Sequence, residues 1–191
     1  MIKFIDRAFV AGVLYTPGMI AEFDAPTESA LIADGDATDY PAVAKPVEVL
    51  SSSAVAVSCA STASDEVLAS FTIDAGTLGV NSILQVEPLW TFTNSANNKI
   101  LKIKIGGTTV YTATRTTTTK EAPLIVLANR NSLASQIQPY DSIYVTAGTG
   151  TPATYTIDFA AAVDVEITGQ RANGADTLKL EYFRVLHFVG D

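Results

Sequence analysis

One histidine, His187, and one cysteine, Cys59, bound the nucleophilic chemistry open to this 191-residue chain. A Ser-His-Asp triad must use His187, which sits between Leu186 and Phe188 in an apolar run. No Gly-x-Ser-x-Gly elbow supplies a nucleophile for it. Its setting reads as that of a structural strand histidine. Cys59 lies in an Ala/Ser-rich stretch with no neighbouring base and reads as inert. One cysteine cannot form an intrachain disulfide, and one of each cannot complete a four-ligand Cys/His zinc site. Asp34 and Asp36 in "DGDATDY" occupy the first and third positions of a calcium loop. Asp39 then stands where that loop needs glycine, and Lys45 where it needs glutamate, so the match fails.

Glycoside chemistry needs two carboxylates across a cleft. Glu87, Asp164, Glu166 and Glu181 are candidates, yet each alternates with apolar residues as solvent-face positions do. "GTLGVNS" (76–82) lacks the Lys-Ser/Thr of a phosphate loop. Trp90 and Phe92 alternate with polar residues and read as core rather than as a stacking groove. Net charge is −8, and Lys99, Lys102 and Lys104 form the densest basic cluster, so no basic stripe serves direct nucleic-acid binding. No stretch reaches the ~20 apolar residues of a membrane helix, and "MIKFIDRAFVAG" is not a signal peptide. We expect no catalytic residue, no cofactor, no metal site and no membrane contact, in a chain made in the cytosol.

The elements behind these residues are strands. Hydrophobic residues make up 48% and charged residues only 17%, so the chain folds but has a surface dominated by Thr, Ser, Asn and Ala. Residues 1–40 read as a small β-rich module: strands at Ile2–Asp6, Phe9–Tyr15 and Ile20–Asp24, a turn at "YTPGMI", and a short helix capped by Thr27. Phe4, Phe9, Tyr15, Ile20 and Phe23 give it apolar surface to bury against a larger neighbour. Residues 41–64, rich in Ala, Ser and Val, read as a linker or an extended arm ordered by neighbouring subunits.

Residues 65–191 read as an all-β sandwich. Leu84, Val86, Pro88, Trp90 and Phe92 share one face, and Leu101, Ile103 and Ile105 line the next strand. Further runs cover Thr108–Thr114, Pro123–Asn129, Ser142–Thr146, Thr154–Phe159, Val163–Thr168 and Thr177–Phe188. A slip at Arg184 calls for a bulge that keeps Phe183 and Val185 inside. "GG" (106–107) and the Asn-Gly of "NGAD" (173–176) mark tight turns. With turn signals every 8–15 residues, a jelly roll comes first and an immunoglobulin-like sandwich second. The threonine run "TATRTTTTK" (112–120) reads as an edge strand and loop, or as a rim facing a subunit or a glycan.

The stretch "LASFTIDAGTLGVNSILQVEPLWTFTNSANNKILKIKIGGTTVY", with "ITGQRANGADTLKLEYFRV" later, resembles a jelly-roll-like β-sandwich domain of tailed-bacteriophage virion proteins. Asp74 stands where that pattern has proline. "AGVLYTPGMIAEFDAPTESALIADGDA" is similar to small phage head-associated modules. The resemblance implies a virion protein assembled in the host cytoplasm, either a head decoration (cement) or head fibre protein or a tail-fibre-type receptor- or glycan-binding domain. It implies a homo-oligomer, commonly a trimer, with the major capsid protein or another virion protein as partner. Phe4, Phe9, Tyr15, Ile20 and Phe23 are then the expected capsid or subunit interface.

Overall fold

The computed structural model describes residues 2–4, 8–10, 13–16, 18–21, 23, 25–33, 37–39, 47–139 and 151–190. They divide into two units, Met1–Ala44 and Lys45–Asp191. The first holds β1 (Ile2–Phe4), β2 (Ala8–Val10), β3 (Val13–Tyr15), β4 (Ile20–Ala21), α1 (Ala25–Ala33) and β5 (Ala37–Asp39). β4, β1 and β5 form one antiparallel sheet, and β2 and β3 form a hairpin. The run expected as one strand over Phe9–Tyr15 is therefore two paired strands, Ala8–Val10 and Val13–Tyr15. Gly18 adopts φ +93°, and Met19 N–H closes the turn on the Thr16 carbonyl at 3.1 Å. The helix begins before Thr27, the expected cap. Pro26 fits a first turn, where its missing N–H leaves no bond unmade. Leu31 of α1 is buried, with Val10, Tyr15, Ala21 and Phe23 packed against it.

The second unit holds β6 (Val47–Ser53), β7 (Val57–Ser58), β8 (Glu66–Ile73), β9 (Ile83–Phe92), β10 (Lys99–Ile105), β11 (Thr108–Arg115), β12 (Lys120–Glu121), β13 (Ile125–Asn129), β14 (Gln136–Gln138), β15 (Ala153–Tyr155), β16 (Val163–Arg171) and β17 (Leu178–Phe188). They form an antiparallel β-sandwich. One sheet has four strands in the order β11-β10-β16-β8. The other has eight: β15-β14-β13-β9-β17-β6, with β12 also on β9 and β7 also on β17. The chain crosses between sheets at β7–β8, β8–β9, β9–β10, β11–β12, β15–β16 and β16–β17. The expected strand Ser142–Thr146 lies outside the described residues.

Period-two patterning builds the core. Leu84, Val86 and Trp90 of β9, Leu101 and Ile103 of β10, Val165 and Ile167 of β16, and Leu178 and Leu180 of β17 are each at most 2% exposed. Gly106 and Gly107, at φ +57° and +73°, close the β10–β11 hairpin as the paired glycines predict. Pro88 of β9 falls in the gap between β13, which ends its pairing at Val86, and β12, which starts at Trp90. It interrupts no ladder on that side.

Two expectations need correction. The bulge in β17 is at Glu181, not Arg184: Leu180 pairs Trp90 and Tyr182 pairs Leu89. The bulge turns Tyr182 outward, 43% exposed, and returns Phe183 and Val185 to the core. The segment expected as linker or arm is also part of the sandwich. β6 pairs Phe183–Phe188 and β7 pairs Lys179–Leu180, so 47–58 edges the whole of β17. Leu50 packs against the core. The scattered valines and serines lacked the strict alternation of a strand because Leu50 is itself a bulge: Val185 pairs Ser51 and Leu186 pairs Val49.

Two outcomes follow from this packing. Trp90→Ala removes the largest buried side chain and should lower unfolding free energy by about 3–5 kcal/mol in urea titrations; a loss under ~1 kcal/mol would contradict its burial. A chain beginning at Lys45 should keep the full-length sandwich's melting temperature. One beginning at Asp65 loses β6 and β7 and should melt clearly lower.

Candidate functional site

Three polar clusters tie the loops to the sandwich. The first is built on Lys99, whose parity with Leu101, Ile103 and Ile105 points it inward. Its side chain is 0% exposed. The ammonium donates to Ser95 Oγ (2.8 Å), the Asn97 carbonyl (2.9 Å), the Thr116 carbonyl (3.0 Å) and the Ser95 carbonyl (3.3 Å). Asp176 Oδ2 lies 3.9 Å away and accepts from Ser95 Oγ (2.8 Å) and Asn97 Nδ2 (3.1 Å). The "TNSANN" connection is thus wrapped around one cation and one carboxylate. Desolvation raises the Asp176 carboxyl, but the Ser95 and Asn97 bonds with the Lys99 and Arg171 charges outweigh it and hold it below the usual range.

The second cluster joins the sheets. Tyr111, at 0% exposure, stacks on Trp90 with ring centroids 6.2 Å apart. Its hydroxyl donates to Glu121 Oε1 at 2.6 Å, and Arg115 grips the same carboxylate through Nε (2.6 Å) and Nη2 (2.8 Å). Burial raises Glu121, and the Arg115 and Tyr111 bonds bring it below its ordinary value. Burial and the Glu121 bond both push the Tyr111 phenol up.

The third cluster contains the lone histidine. His187 Nε2 lies 2.9 Å from Ser82 Oγ, and Nδ1 lies 3.4 Å from Glu48 Oε2. Nδ1–H donating to Glu48 with Nε2 accepting from Ser82 is the assignment that satisfies all three groups. The order Ser–His–Glu matches an activated nucleophile. Ser82 and His187 are 2% and 3% exposed, however, so no substrate carbonyl reaches the hydroxyl. The Ser82 oxygen also accepts the Gly79 N–H at 2.8 Å. The cluster fastens β6 and the 79–82 loop to β17. Sequence reasoning missed Ser82 and Glu48 because neither lies in a nucleophile motif.

The other candidates do not converge. Glu87 and Glu181 lie on the eight-stranded sheet, Asp164 and Glu166 on the four-stranded one. Glu87 pairs with Arg184, Asp164 accepts from Thr72 at 2.6 Å, and Glu181 from Thr91 at 2.5 Å. Cys59 is buried, and burial with the Glu66 bond pushes its thiol up to about 11. No metal-holding group of His, Cys, Asp or Glu occurs among the described residues, and Asp34 and Asp36 lie outside them. Of the expected interface residues, Tyr15 and Phe23 meet edge to face, centroids 5.5 Å apart, on Leu31. Ile20 is 46% exposed, and the side chains of Phe4 and Phe9 lie outside the description.

What remains distinctive is the contrast between the two outer faces of the sandwich. On the four-stranded sheet the outward rows run Thr112–Lys102 and Thr109–Lys104–Glu166, with Thr168 beside Lys102 fully buried. Lys102 and Lys104 both reach Asp65 at 3.0 Å. On the eight-stranded sheet the rows run Val47–Phe188–Ile83–Ala128–Ile137 and Val49–Leu186–Gln85–Val126. One face is polar and the other mainly apolar.

No family model matches the chain, and neither does any curated protein. Among solved structures it is similar to the CBM2 module of an evolved Dit protein from Lactobacillus casei phage J-1. That match has a TM-score of 0.34 and 11% identity over 64% of this chain and 69% of the other. An infectious bursal disease virus particle gives 0.31 and 15% identity over 76% of this chain and 36% of the other. Particles of T=1 symmetry derived from infectious bursal virus give 0.28 and 14% over 94% and 46%.

The carboxylate clusters set an acid limit. Desolvation raises Asp65, but its Lys104 and Lys102 bonds bring it below its ordinary 3.8; the Ser61 and Ala60 N–H groups hold Glu66 below 4.5. A carboxyl depressed in the folded state contributes stability above its unfolded pKa and loses it as pH falls through the folded value. Stability should therefore fall progressively below about pH 4. Glu121→Gln should flatten part of that fall, measured as urea midpoints against pH. An unchanged slope would contradict the Arg115–Glu121–Tyr111 linkage.

Proposed function

We propose that this chain is a non-enzymatic structural protein of a tailed-bacteriophage particle, of the capsid decoration (cement) or head fibre kind. The observation that carries the reading is the unlike pair of outer faces. A sandwich with one polar, threonine-rich face and one apolar face is suited to being covered on one side and displayed on the other. Two things add support. The loop wrapped around Lys99 is formed by the "FTNSANNK" residues that carry the resemblance to virion sandwich domains. The polar clusters serve loops and edges rather than a reactive cleft.

In this reading residues 1–44 attach to the major capsid protein or another virion protein, with Ile20 among the contacting residues. Tyr15 and Phe23 support that surface from within by packing on Leu31. The sandwich makes the homo-oligomer and presents the four-stranded face outward.

A second reading, a tail-fibre-type glycan- or receptor-binding module, is favoured by one feature. Tyr182, turned out by the Glu181 bulge, borders a depression of about 250 Å³ lined also by Glu87, Pro88, Ala122, Pro123 and Leu124. An exposed ring beside a carboxylate suits stacking and hydrogen bonding to a sugar.

Co-sedimentation with purified capsids separates the readings. The full chain should pellet with capsids, and the chain starting at Lys45 should stay folded and remain in the supernatant. Undiminished pelleting of the shortened chain would move attachment to the sandwich. Failure of the full chain to pellet, with saturable glycan binding lost in Tyr182→Ala, would establish the second reading.

A further inference from the structure

We infer that the apolar outer face of the eight-stranded sheet is covered by a second copy of this chain, packed face to face. The inference rests on the structural reading above and names the partner for its covered side.

The sheet edges are poor sites for self-association. Besides the two-residue β7 and β12, the edge strands of the two sheets among the described residues are β11, β8, β15 and β6. β15 has three residues. Each of the other three carries a bulge, with Val110, Leu68 and Leu50 as the extra residues. Bulged or short edges resist strand addition. That leaves the faces, and the four-stranded face carries charges and threonines.

The eight-stranded face has the anatomy of an interface. Five outward rows stack along β9 and β17: Phe188–Ile83, Leu186–Gln85, Arg184–Glu87, Tyr182–Leu89 and, past the bulge, the polar Lys179–Thr91. The first two rows extend onto β6 through Val47 and Val49, which are 41% and 62% exposed. On the other flank they reach a groove of about 400 Å³ lined by Val126, Ala128, Ile137, Gln138, Pro139 and Pro152. Of the rows, the first crosses six strands, the second four, the third three and the fourth two, a footprint on the order of 500 Å² at ordinary strand spacings. Two such faces bury about 1,000 Å² in total, the lower bound for a specific interface. Two aromatics and an arginine amid aliphatic residues is the composition of interface centres.

Charge selects a second copy over an unrelated partner. The rows along β9 and β17 hold one ion pair, Arg184–Glu87, with Arg184 Nε 3.0 Å from Glu87 Oε2. A two-fold axis running along the strands between β9 and β17 sets Arg184 of one copy over Glu87 of the other, and the reverse. It likewise sets Phe188 over Ile83 and Tyr182 over Leu89. The face is therefore complementary to itself in charge and in hydrophobicity. Two packed outer faces reproduce the ordinary stacking of sheets about 10 Å apart.

The test is sedimentation equilibrium of the full chain, with circular dichroism on every sample. The wild type should show a mass of at least twice 20.1 kDa at micromolar concentration. Ile83→Lys should keep the β spectrum and raise the dissociation constant at least tenfold, with Thr112→Lys on the polar face changing neither. Val49→Lys, at an exposed edge position, serves the same purpose should Ile83→Lys unfold. A wild type that stays monomeric overturns the inference, whether a glycan, another virion protein or residues 1–44 cover the face. Oligomers unaffected by both lysines overturn it as well. Capsid binding is scored separately. A monomer that pellets with capsids removes the self-contact and leaves the proposed function, whereas self-association without capsid binding does the opposite.

Discussion

The antiparallel ladder between β9 and β17 is the contact on which the rest of this molecule depends. It runs from Leu178–Phe92 to Phe188–Ile83 and lies in the middle of the larger sheet. Its inward side supplies Leu84, Val86, Trp90, Leu178, Leu180 and Val185 to the core. β6 and β7 attach to one flank and β12 and β13 to the other. A single bulge at Glu181 changes what this ladder shows to solvent. Without it, Tyr182 would continue inward after Leu178 and Leu180, and Phe183 would point out. With it, the core keeps its aliphatic and aromatic filling, and the outer face gains an exposed tyrosine beside an ion pair.

Buried charge does a different job. An ammonium at 0% exposure is tolerable only when its hydrogen bonds are met, and the acceptors for Lys99 come from the loop that precedes β10 and from Thr116. That requirement fixes the loop's path more tightly than an apolar residue would. Glu121 plays the same part between β11 and β12 through Tyr111 and Arg115. His187 does so between β6 and the start of β9 through Glu48 and Ser82. Each cluster lies where the chain changes direction or sheet, the places where apolar packing alone specifies least.

Much of the sandwich was legible because period two is a direct consequence of strand geometry. The alternation in 84–92, 101–105 and 163–167 identified inward residues, and each of those assigned to the core is buried. Paired glycines at 106–107 gave the hairpin for an equally local reason. The failures are as physical. Residues 47–58 looked like an arm because a bulge at Leu50 breaks the alternation and because serines fill an edge strand with one open side. Lys99 was grouped with Lys102 and Lys104 as the densest basic cluster, and its parity with Leu101 sets it inside, apart from the other two. The Glu181 bulge was sensed from the slip in pattern but set three residues late, since only the partner strand fixes the register. Ser82 and Glu48 met His187 through tertiary structure that no local spacing encodes.

In the proposed assembly the polar face of the sandwich is displayed and the apolar one is covered. Hydroxyl-radical footprinting of the full chain, dilute and then assembled, reads that arrangement residue by residue. The account predicts that Tyr182, Leu186, Phe188 and Ile83 lose reactivity on assembly, while Ile100 on the four-stranded face keeps its own. Unchanged labelling at Tyr182 and Phe188, with protection at Ile100 instead, would contradict it.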